Sequence, residues 1–150
     1  MRLGLDESQG RDIESEVDAA YRPLRLMWLA FLASVVALFF VTRLLQREPS
    51  VTNALFWILL AVGLVNIGAS FIIKQKLLKE ATGTRKPELI RGAFILAFAL
   101  CESVGLFGLV VYLITGVQYY YFYFVLSGFG ILVHKPQRED LLVVMSGKEF

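Results

Sequence analysis

The chain of 150 residues holds one cysteine and one histidine. Cys101 alone cannot close a disulfide within the chain, and with only His134 for company it cannot build a His/Cys metal cluster. No Ser-His-Asp set, phosphate-binding glycine loop or run of metal ligands is present. The chain therefore reads as a non-enzyme that carries neither metal nor cofactor. Fifteen Lys and Arg against thirteen Asp and Glu leave a net charge of +2, too balanced for a general nucleic-acid binder. Residues 1–23 contain six acids and no apolar run, unlike a secretory signal, so the first spanning helix is expected to direct the chain to its membrane.

Apolar residues are abundant instead. They make up 57% of the chain, and the mean hydropathy is +0.63. A soluble domain is about 45–50% apolar even with glycine counted, and a chain this small has too little interior to hide the excess. The composition predicts an all-α integral membrane protein.

A spanning helix needs about 20 mostly apolar residues to cover about 30 Å of hydrocarbon. Four such segments are predicted, at 24–45, 53–73, 92–114 and about 118–134, with cytoplasmic tails at 1–23 and 135–150. In the first, Arg25 and Arg43 flank an uncharged centre and are expected to snorkel to the two interfaces, and Pro23 suits its opening turn. The last two segments come from one apolar run, 92–133, divided at Thr115-Gly116-Val117-Gln118.

Basic residues give the direction. Twelve of the fifteen lie in the N-terminal tail, the 74–91 loop or the C-terminal tail, and Arg25 at the same end of the first segment makes thirteen; only Arg43 and Arg47 fall on the other side. Lys and Arg in short loops stay cytoplasmic, so both ends are expected inside. Tyr119, Tyr120, Tyr121 and Tyr123, at the outer start of the fourth segment, read as an interfacial aromatic belt, with packing between helices as the other reading. Ile13, Val17, Ala20 and Tyr21 share one helical face, so the N-terminal tail is either a short acidic amphipathic helix or a solvated segment. The LLVVM segment after Pro136 reads as a short strand or a docked turn.

Glu102 is the residue that needs an explanation. It is the one full charge in 92–133 and lies roughly 15 Å into its segment at about 1.5 Å per residue, near the midplane. A bare carboxylate there is costly. The group is expected to be protonated, because desolvation disfavours the charged form, or to be paired with a partner from another subunit. Ser103, Asn66, Ser70 and Tyr112 are the candidate hydrogen-bond partners nearby. Ala93, Ala97, Cys101 and Gly105 recur every four residues, and Gly108 extends their surface. Such a stripe lets another helix approach closely. Cys101 reads as part of this packing surface rather than as a nucleophile, and His134 as an interfacial residue.

Arg85-Lys86-Pro87-Glu88 and the following LIRGAFILAFALCESVGLFGLVVYL resemble the proteolipid c subunit of rotary ATP synthases. That family has a cytoplasmic Arg-Gln-Pro loop and then a helix with a central acid. The resemblance implies that Glu102 is an ion-binding carboxylate and Ser103 an ion ligand, with Arg85, Lys86 and Pro87 as the polar loop. Lys86 stands where the family has Gln, Phe107 where it commonly has Tyr, and the first and fourth segments are additional. The whole chain also resembles small bacterial four-helix membrane proteins, which implies the bacterial inner membrane. Two functions follow. One is a structural or accessory subunit that packs in a larger membrane complex or homo-oligomer through the small-residue stripe and a buried, protonated Glu102. The other is a proton-translocating (less readily a sodium-translocating) component.

Overall fold

A computed structural model describes residues 3–45, 48, 54–84 and 87–146, with side chains described from residue 14 onward except at 84, 87 and 144–146. These residues form helices α1 (Leu3–Leu44), α2 (Ala54–Thr84), α3 (Pro87–Thr115), α4 (Tyr121–Val133) and α5 (Arg138–Ser146), with a single 3₁₀ turn, Gln118–Tyr120, before α4. Among the described residues, three helical segments are long and apolar enough to cross a membrane: Glu14–Leu44, Ala54–Gly83 and Glu88–Thr115. The predicted fourth segment is the 3₁₀ turn plus the 13 residues of α4, and α4 alone rises about 20 Å.

α3 is the central element, packed by α1, α2 and α4. α1 runs parallel to it: Phe31 faces Phe98 with ring centroids 5.7 Å apart, and further along Tyr112 Oη donates to the Leu45 carbonyl at 3.5 Å. α2 and α4 run antiparallel to α3. The turn between α3 and α4 follows from Gly116, whose φ of 66° ends α3 in the left-handed conformation. Its N–H bonds the Tyr112 carbonyl at 2.9 Å, so the last turn of α3 does not lose that acceptor.

The helices continue past the predicted segments on the N-terminal side of α1. α1 has 42 residues, about 63 Å long and twice a bilayer's hydrocarbon thickness. Pro23 lies inside α1 rather than in an opening turn. Val17 and Leu24, both buried, fix the helix on either side of it. Along with Leu78, Ala81, Ile90 and Leu141 they belong to one apolar cluster. The face that holds Val17, Ala20 and Tyr21 is therefore turned onto the protein itself.

The segment after Pro136 is helix α5, not a strand or turn. Glu139 and Asp140 in its first turn complement the helix dipole. Leu141 plugs the apolar cluster, while Asp140 sits 3.9 Å from Lys74 Nζ and Arg138 bonds Asp18 at 2.7 Å. α5 thus ties the extension of α1 to that of α2.

Candidate functional site

Glu102 sits midway along α3, at the seam with α1, and is partly buried. The partner the structure gives it is Ser34 of α1, whose hydroxyl donates to Oε1. Ser34 was legible only as a polar residue inside the first apolar segment; that it shares a depth with Glu102 follows from the parallel pairing of α1 and α3.

The candidate partners named from the sequence are engaged elsewhere. Asn66 Nδ2 donates to Ser103 Oγ at 3.0 Å, and Ser103 Oγ donates onward to the Leu100 carbonyl at 2.7 Å. This pair joins α2 to α3 and does not touch Glu102. Tyr112 reaches the end of α1, as described above. Arg85 and Lys86 lie outside the described residues, as do Arg47 and Asn53, while Pro87 opens α3, where a missing N–H costs nothing.

Ser70 belongs to a second polar group, deep between α2, α3 and the end of α4. Its hydroxyl donates to the Ile67 carbonyl at 2.6 Å, accepts from Cys101 Sγ at 3.7 Å and lies 3.3 Å from His134 Nε2. His134 Nδ1 is 2.8 Å from the Gly130 carbonyl. A carbonyl can only accept, so Nδ1 carries a proton. His134 is 1% exposed and its ring packs on Phe71 at 4.3 Å, so it is an internal link between α2 and the end of α4.

The small-residue stripe is covered within the chain. Ala93, Ala97 and Cys101 are fully buried, and Gly105 and Gly108 are buried under α4. A Cβ on Gly108 would fall 2.6 Å from Tyr123 Cβ, and one on Gly130 2.9 Å from Cys101 Sγ. These are distances only a glycine permits. α4 lies on Cys101, Gly105 and Gly108, and Ala93 and Ala97 are covered within the chain, which takes the stripe away from any second copy. The tyrosines divide accordingly. Tyr119 and Tyr121 are exposed, as a belt requires. Tyr120 and Tyr123 are buried, and Tyr123 Oη donates to the Phe56 carbonyl at 2.5 Å. Positions 120 and 123 share the inward side because residues three apart lie on one helical face.

Among the described residues no group of His, Cys, Asp and Glu could hold a metal ion. No protein-family model, curated protein or solved structure matches the chain. The functional reading therefore stands on the carboxyl, its hydroxyl partner and the surfaces around them.

Proposed function

We propose that the chain is a small integral membrane protein with a structural or accessory role. In this reading the three long helices and the 118–134 segment cross the bacterial inner membrane with both ends cytoplasmic, as the distribution of Lys and Arg favours. The observation that carries it is the Glu102–Ser34 pair at a partly open seam. A neutral carboxyl there locks α1 to α3 and keeps hydrogen-bonding capacity for a neighbouring helix, from a larger complex or a second copy. The small-residue stripe supports the fold of the chain itself. A partner would meet the outer faces of α1, α2 and α4, where Leu26, Trp57, Val65 and Phe129 are exposed.

A second reading is a proton-translocating component with Glu102 as the carboxyl that binds and releases the ion. The partial exposure of Glu102 and the adjacent Ser103 favour it, along with the resemblance to the c-subunit helix. An apolar carbodiimide, which modifies protonated carboxyls within a bilayer, is expected to label Glu102 selectively and with a pH dependence. Glu102→Gln and Glu102→Ala separate the readings. A structural role requires that Gln, which still pairs with Ser34, preserve co-purification and thermal stability while Ala loses both. A transport role requires that Gln abolish proton flux in reconstituted vesicles with assembly intact. If neither substitution alters assembly, stability or flux, both readings fail.

A further inference from the structure

Between α1 and α4 runs a groove of about 850 Å³ with one polar end and one apolar end. Arg43, Gln118 and Tyr121 line the polar end; Leu32, Val36 and Gly128 line the other. From Leu32 to Arg43 the wall of α1 rises about 16 Å, roughly half the thickness of a hydrocarbon core. The groove is thus one leaflet deep, with a cation at the lip. The Arg43 guanidinium lies 5.6 Å from the centre of the Phe39 ring. That contact sets the cation over the ring, and its N–H groups can meet a planar or tetrahedral oxyanion. The ion pairs among the described residues, Lys74–Asp140 and Arg138–Asp18, do not involve Arg43.

A second groove, of about 660 Å³ between α2 and α4, provides an internal contrast. It is lined by Phe56, Trp57, Leu60, Phe122 and similar apolar side chains, with no charged residue. A lipid chain there meets the Tyr119 phenol but no cation for its headgroup.

We propose that the α1/α4 groove is a binding site for one anionic phospholipid, its acyl chain between Leu32 and Gly128 and its phosphate on Arg43. The inference rests on the membrane reading above, which carbonate-resistant association with membranes tests separately. The length matches a single leaflet, the charge complements a phosphate, and the phenol and amide of Tyr121 and Gln118 add donors at headgroup height. Gly128 makes the apolar end accessible: a Cβ built on it meets nothing within 4 Å.

The test is lipid retention. The full-length protein is purified from membranes in mild detergent, washed, reconstituted into nanodiscs of mixed phosphatidylglycerol and phosphatidylcholine, and the lipid kept through re-extraction is identified by native mass spectrometry. Wild type is expected to retain phosphatidylglycerol in equimolar amount. Arg43→Gln is expected to weaken that retention about tenfold and to erase the headgroup preference. Gly128→Phe fills the trough with Arg43 intact and is expected to expel the lipid while the thermal midpoint in detergent stays at the wild-type value. Equal retention of the two headgroups by wild type would mean bulk annular lipid and would overturn the proposal. So would undiminished phosphatidylglycerol retention in both variants.

Discussion

α3 meets two of its neighbours, α4 and α1, through different kinds of seam. Toward α4 the contact is backbone-close: Gly108 lies under Tyr123, Gly130 against Cys101, and the Ser70–His134 link lies alongside. Toward α1 the contact is made by larger side chains, Phe31 on Phe98, with the Glu102–Ser34 pair at the edge; α1 meets α4 through Phe39 on Phe124, beside the groove where the two helices part. In lipid no hydrophobic force drives helices together, so close packing and hydrogen bonds must hold them. The α3–α4 seam has the close packing and should be the rigid half of the molecule. The α1 side is held by separate hydrogen bonds, Ser34 to Glu102, Tyr112 to the Leu45 carbonyl and Trp28 to the Ile131 carbonyl, around an open groove, and should be the half that admits lipid or a partner.

The largest effect that would test this contrast is at Gly108. Gly108→Val drives a branched side chain into Tyr123 Cβ and toward the Tyr120 carbonyl, 3.3 Å from the first added carbon. A loss of about 3 kcal/mol or more is expected, read as a lowered unfolding midpoint in detergent micelles. A midpoint near wild type would show that the seam is looser than described. Tyr123→Phe comes next. It keeps the ring that packs at 5.5 Å on Phe56 but removes the donor to the Phe56 carbonyl, for a cost of about 1–2 kcal/mol on the same measurement.

Ser127→Ala should act in the opposite direction. The Ser127 hydroxyl is buried at the α3–α4 seam without a hydrogen-bond partner, so its removal should raise stability by about 1 kcal/mol. A loss instead would mean that the hydroxyl is satisfied, by a water for example. The smallest effect belongs to Gly128→Ala on the open side, where the new methyl group meets nothing. Better helix propensity should leave the midpoint unchanged or raise it by less than about 1 kcal/mol.

The membrane character was legible from composition, and the positions of the three long helices were legible from runs of apolar residues bounded by charge. Helix ends were less so. α1, α2 and α3 extend beyond their apolar runs because Val17, Leu78, Ala81, Ile90 and Leu141 form a packed cluster outside those runs, and a hydropathy window does not register burial against a neighbour in a polar stretch. α5 was misread for a related reason: LLVVM carries β-branched residues, and only docking of Leu141 decides for a helix. At the candidate site, the acid was plain and its partner was not. Asn66, Ser70 and Tyr112 are as polar as Ser34, and nothing along a single segment states which of them shares a depth and a seam with Glu102.

The sequence by itself determined the class of the molecule, the carboxyl at mid-depth in an apolar helix, and the break at Gly116, because hydropathy, charge and φ preference are properties of residues in order. The tertiary structure alone decided that the small-residue stripe is covered within the same chain, that two of four tyrosines turn inward, and that Arg43 lines a groove. The physical reason is the solvent. In water an apolar stripe marks the face that must be buried, but a helix destined for lipid is apolar all round, so its pattern does not say which face meets another helix until the helices are packed.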